Sequence, residues 1–186
     1  TYYDELSTTS SNAQDIEYYS GFISFTYPVN LNIWQSLYSV IYQSNAVIEN
    51  INSATNVTIP TKQQLNGEAL FLRSLAYFYL INIYGDVPLV LTTQVEETSV
   101  APRDSITHIY SQIISDLIQA KLILSESYPS AGKVRANKWA ASALLARVYL
   151  YRGNWQMAQE ESSAIINSGN FSLLDNKSEV FLKNSN

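Results

Sequence analysis

The amino-acid sequence predicts an all-α fold of stacked helical hairpins with long irregular loops. Five segments repeat apolar residues at steps of three and four, the spacing of one helix face. Two of them close on glycines, "YLINIYGD" at Gly85 and "RVYLYRGN" at Gly153, about two 34-residue periods apart. That period belongs to a helix–turn–helix repeat, although Gln119 stands at the midpoint where a third glycine would fall. Hairpins of this length bury their apolar faces by stacking on one another.

Residues 1–32 are rich in Ser, Thr, Asn and Tyr without a sustained period, and read as a loop with a short helical piece. A helical core follows over 33–168, and the whole chain, 1–186, is expected to form a single helical domain. From Ile33 to Ile51, residues Trp34, Leu37, Tyr38, Ile41, Ile48 and Ile51 mark one face of an amphipathic helix. Asn45 falls on that face, where it would have to hydrogen-bond a neighbouring backbone. After the turn-rich "NSATNVTIPT", Thr61-Lys62-Gln63-Gln64 fits a capping box, and the helix it opens runs to Tyr84 with Gly85 as its C′ residue. Ser74 to Tyr84 is uncharged and apolar almost all round. It is too short to span a bilayer and is expected to be covered on both sides by other helices.

Pro88 makes "DVPLVL" extended. Ser105 or Asp104 caps the next helix, reaching about Ser125, with Ile106, Ile109, Tyr110, Ile113, Leu117, Ala120 and Leu124 on its face. Arg103 and Asp104 are expected to hold the preceding loop. Asn137 caps a helix that ends at Gly153, and Asn154 opens one from Trp155 to about Ser168. The tail, Phe171 to Asn186, is polar and irregular. Within "SALLARVYLYRGNWQMAQEESSAIINSGN", Leu145, Ala146, Tyr149, Gly153 and Ala158 fall at tetratricopeptide positions. Small Ala146 and Ala158 let two helices approach, and Leu145 and Tyr149 fill the space beside them. Ser142 replaces the expected Trp, with Trp139 three residues earlier, and Asn170 replaces the expected Pro.

Composition narrows the function. The 186 residues are 46% hydrophobic and 15% charged, enough apolar material for a sizeable core. A net charge of -5, with 11 scattered Lys and Arg, argues against nucleic acid and a polybasic membrane patch. The absence of cysteine removes disulfides and thiolate chemistry. No catalytic motif, metal-ligand spacing or cofactor-binding loop is present. His108, the single histidine, reads as a solvated or capping residue, and the acid pairs Asp4-Glu5, Glu96-Glu97 and Glu160-Glu161 read as solvated surface. A glycosidase would need two carboxylates across a cleft. The 14 tyrosines suit both half-buried helix faces and carbohydrate contacts.

"GEALFLRSLAYFYLINIYGDVPLVL" resembles the signature helix of the SusD (RagB/SusD) family, with Ser74 where Ala is usual. "IWQSLYSVIYQSNAVIENI", "APRDSITHIYSQIISDLIQAKLIL" and "ANKWAASALLARVYLYRGNWQMAQEESSAIINSGNFSL" resemble further family helices, in order from about Trp34 to Leu174. The resemblance implies the N-terminal portion of an outer-membrane, cell-surface lipoprotein of Bacteroidetes with a tetratricopeptide-like scaffold. Such proteins bind glycans or other small nutrients, are not enzymes, and close over a SusC-like TonB-dependent transporter in polysaccharide utilization. The lipid anchor would lie upstream of Thr1, and much of the ligand surface downstream of Asn186.

The resemblance makes Arg73, Gly85, Asp86 and Pro88 structural signature residues. A buried Arg73 should pair with a carboxylate or carbonyls, and Asp86 should cap nearby amides. For ligand contact, Tyr18, Tyr19, Phe22, Tyr27 and Asn30 in "DIEYYSGFISFTYPVNLNIW" offer rings to stack on sugars and an amide for their hydroxyls, or else they pack the loop onto the helices. The competing functional reading is a tetratricopeptide-type adaptor whose helical groove binds a protein or peptide.

Overall fold

The computed structural model describes residues 9, 11, 12, 16, 19 and 28–173. Helix α1 spans Pro28–Asn50 and α2 spans Ile59–Tyr84. A two-residue strand β1, Val87–Pro88, pairs antiparallel with β2, Arg103–Asp104, across the short helix α3, Val95–Thr98. Then come α4, Ile106–Ile123, α5, Lys138–Tyr151, and α6, Trp155–Asn167, with a 3₁₀ turn at Ala131–Lys133 between α4 and α5. Helices dominate, and the architecture is all-α.

Packing follows chain order, with α2 between α1 and α4, α4 against α5, and α5 against α6. The core between them is built from Ile41 of α1, Tyr77 and Leu80 of α2, Ile109, Ile113 and Leu117 of α4, and Leu145 and Val148 of α5. Each such side chain contributes about 1.5–3 kcal/mol by leaving water. Leu145, Ala146, Tyr149 and Ala158 are buried where α5 turns back into α6, as expected of a repeat hairpin.

Two boundaries differ from expectation. Helix α1 starts at Pro28, inside the stretch read as loop, because proline is accommodated in a first helical turn. The cap of α2 is Thr58, not Thr61: its hydroxyl oxygen accepts the Thr61 amide at 3.4 Å, and Pro60 occupies the first turn. Gln64, assigned to a capping box, instead donates to Glu68 and to the Ala136 carbonyl. Helix α2 is covered on both sides by other helices, as expected. Its flanks meet α1 and α4, but Leu72, Tyr79 and Ile83 stay substantially exposed.

The remaining ends match the sequence pattern. Ser105 caps α4 through the His108 amide, Asn137 caps α5 through Ala140, and Asn154 caps α6 through Met157. Gly85 and Gly153 have φ of +74° and +71°, the left-handed region that ends a helix most readily at glycine. The acid pair at Glu160-Glu161 is only half solvated: Glu161 is buried and bonded by Lys121 Nζ at 2.8 Å from both carboxylate oxygens. Packing of α6 on the preceding helices removes its carboxylate from water, so the ion pair is required.

Candidate functional site

The face that gathers the sequence-singled residues is built on the exit from α2. Arg73 lies in the middle of that helix, its side chain 6% exposed. Its Nε and one terminal nitrogen donate to the two oxygens of Asp116 on α4, both at 2.8 Å. The other terminal nitrogen donates to Asn45 Oδ1 on α1, also at 2.8 Å. Asn45 Nδ2 donates in turn to the carbonyls of Val90 and Thr92. One guanidinium thereby joins three helices and orients the extended chain after Pro88. A fork of this kind suits Arg and not Lys, because the planar donors meet both carboxylate oxygens at once.

A second set of bonds holds the extended segment. Tyr77 accepts the Val90 amide at 2.6 Å and donates to the Val90 carbonyl at 2.9 Å. Tyr38 donates to the Pro88 carbonyl at 2.7 Å. Burial pushes the Tyr38 and Tyr77 phenols well above the ordinary tyrosine range. Both therefore remain neutral hydrogen-bonding groups. On the outside, Glu49 accepts the Thr93 hydroxyl and amide, and these bonds lower its carboxyl pKa.

Asp86 accepts the Ile106 amide at 3.0 Å, so it caps a helix twenty residues on and not its own turn. Its carbonyl takes a bond from Arg103, whose guanidinium also stands 5.6 Å above the Trp34 ring. Asp104 accepts the Ser105 amide and bonds His108 Nδ1 at 2.6 Å. Gly85, Asp86 and Pro88 thus meet Arg103, Asp104 and Ile106 at one corner.

Beside that corner lies a recess of about 310 Å³ lined by Trp34, Tyr38, Ile41, Tyr42, Pro88, Val90 and Thr98. Trp34 packs on Tyr38 and, edge-on, on Tyr84, with ring centres 4.9 and 5.1 Å apart. These contacts lock the Trp34 ring in place. Tyr42 is 55% exposed at the recess. A second recess, about 360 Å³, shares Val90 and Thr98 with the first and adds Glu97, Asp104 and His108.

Of the proposed ligand-contact residues, Tyr18, Phe22 and Tyr27 lie outside the described residues. Tyr19 is helical and 39% exposed. Asn30 sits in the first turn of α1, where its carbonyl accepts the Tyr84 hydroxyl at 2.6 Å. It is one helical turn from Trp34. Sequence reasoning did not single out Asp116 or Tyr42. Asp116 interrupts the apolar face of α4 between Ile113 and Ala120, and a carboxylate so placed signals a buried cation. Tyr42 carried a weaker signal, the step of four from Trp34 through Tyr38.

Among the described residues, no helix is long and apolar enough to cross a membrane, and no three His, Asp or Glu side chains gather as a metal site.

Known proteins share this fold. A SusD-like family model, described as starch-binding and associating with the outer membrane, matches residues 1–150. The SusD-like protein P25 of Formosa agariphila is 33% identical over 153 residues, covering 82% of this chain and 29% of that protein. Among solved structures, one with a xylogluco-oligosaccharide superposes with a TM-score of 0.80 at 27% identity, over 92% of this chain and 36% of its own. A laminarin-binding SusD-like protein superposes at 0.75 and 26% identity, over 82% of this chain and 35% of its own. The chain therefore spans about a third of the length of such relatives. With the signature helix, its Arg73 node and the Gly85–Pro88 exit all in place, the chain belongs to the SusD-like family.

Proposed function

We propose that this chain is the N-terminal scaffold of a cell-surface nutrient-binding lipoprotein that captures an oligosaccharide and delivers it to a SusC-like TonB-dependent transporter in the outer membrane. The reading is carried by one observation: a structure solved with a xylogluco-oligosaccharide superposes on this chain with a TM-score of 0.80. The rigid aromatic corner around Trp34 adds chemical support, since sugars pair apolar C–H faces with ring faces. Tyr18, Tyr19, Phe22, Tyr27 and Asn30 remain the proposed ligand contacts. Arg73, Gly85, Asp86 and Pro88 act as the frame of the corner.

The ligand is bound and passed on unchanged, so the protein is not an enzyme. Anchorage to the outer membrane is by a lipid. The exposed Leu72, Tyr79 and Ile83 of α2 favour a protein contact as well. A transporter-facing interface accommodates that feature without the separate adaptor reading.

Delivery is tested by expressing the natural full-length protein with the SusC-like transporter encoded beside it. Co-purification from detergent extract is expected. A well-folded protein that stays apart from its expressed neighbour would remove the transporter from the account.

A further inference from the structure

The two recesses beside Pro88 share Val90 and Thr98 and lie along the same extended segment. From this juxtaposition we infer that they form one cleft, with an aromatic subsite at Trp34, Tyr38 and Tyr42 and a polar subsite at Glu97, Asp104 and His108, that takes a neutral, gluco-configured oligosaccharide. The inference rests on the glycan reading above and specifies the site within it.

The aromatic end has the features of a sugar platform. Trp34 is fixed by the Tyr38 and Tyr84 rings, and Tyr38 is fixed by its bond to the Pro88 carbonyl. Neither ring has to be ordered on binding, which lowers the entropy cost of association. Tyr42, 55% exposed, is the ring whose surface is open to a ligand. A pyranose with equatorial hydroxyls offers two apolar C–H faces, one of which can lie on such a ring. Its hydroxyls then point outward from the edge.

The other end supplies acceptors and donors for those hydroxyls. Glu97 is exposed on α3. Asp104 holds His108 Nδ1 at 2.6 Å, while the His108 side chain is 62% exposed. Recesses of about 310 and 360 Å³ are each within the range of small-ligand sites.

Charge selects a neutral sugar. The polar end carries two carboxylates, which would repel a uronate. The nearby cation, Arg103, is already engaged by the Trp34 ring and the Asp86 carbonyl. Among the described residues, a uronic-acid oligosaccharide would therefore meet repulsion without a compensating free Lys or Arg at this corner.

The test is calorimetric titration of the natural full-length protein with xylogluco-, laminari- and malto-oligosaccharides, comparing wild type with Tyr42→Ala, Tyr42→Phe and Glu97→Ala. Tyr151→Ala, an exposed tyrosine on α5 outside both recesses, is the control. For the oligosaccharide that wild type binds best, Tyr42→Ala should weaken affinity by about tenfold, and Glu97→Ala by about threefold to tenfold. Tyr42→Phe keeps the ring and should recover most of the loss seen in Tyr42→Ala, while the control should stay within about twofold of wild type. Wild-type binding that survives both Tyr42→Ala and Glu97→Ala overturns the cleft and leaves the glycan reading standing. Binding of none of the three oligosaccharides by folded wild type overturns the cleft, and binding of no glycan at all overturns both.

Discussion

At the residue scale the fold depends on Arg73. Its three hydrogen bonds to Asp116 and Asn45 replace water around a guanidinium that is almost fully enclosed. Desolvating both charges is expensive, and the ion pair stabilises the fold only because the fork and the Asn45 and Gln112 bonds leave few polar atoms unpaired. Removing one partner strands the other. Arg73→Ala is accordingly expected to destabilise the protein by about 3–5 kcal/mol, measured as the shift of a denaturant unfolding curve. An unchanged midpoint would mean that Asp116 finds water or another cation. Arg73 and Asn45 were legible in the sequence, as polar residues on otherwise apolar helix faces. Which carboxylate answers Arg73 was not, because α2 and α4 are joined by a long connection whose course no local pattern dictates.

Helix α2 shows what holds at the scale of an element. Its length, its glycine exit and its buried character follow from an uncharged apolar run closed by Gly85-Asp86-Val87-Pro88. Its start was misplaced because two threonines, Thr58 and Thr61, both suit a cap. Pro60 decides between them by fitting the first turn. The pairing of β1 with β2 could not be read either, since two-residue strands carry no periodicity. Nor could the closeness of α2 and α4. A β-carbon at Gly67 would stand 2.6 Å from Leu124 Cγ, so the glycine sets how near the helices come. Gly67→Ala improves helix propensity by about 1 kcal/mol but overpacks this contact by about 1–3 kcal/mol. A net loss of about 1 kcal/mol is expected by thermal unfolding. A variant more stable than wild type would show that Leu124 moves aside freely.

Across the whole molecule, the helices form a scaffold that positions one corner. The Arg73 node, the Tyr77–Val90 bonds and the Asp86–Ile106 cap all act on the chain between Asp86 and Ile106. That chain supplies a wall of both recesses. The signature residues were legible because each breaks a local pattern: a charge in an apolar helix, a glycine at its end, a proline after it. The recess was less legible, because Trp34, Tyr38 and Tyr42 follow the same helical step whether they pack inward or face a ligand. Exposure separates Tyr42 from the other two, and exposure is a property of the folded chain.

Glycan capture by this protein is decided by a glycan-array titration of the natural full-length chain. Saturable binding of neutral oligosaccharides is predicted, with every bound sugar recovered at its original chain length. Binding of no glycan by a folded protein that does bind a peptide partner would contradict glycan capture and make the helical stack an adaptor.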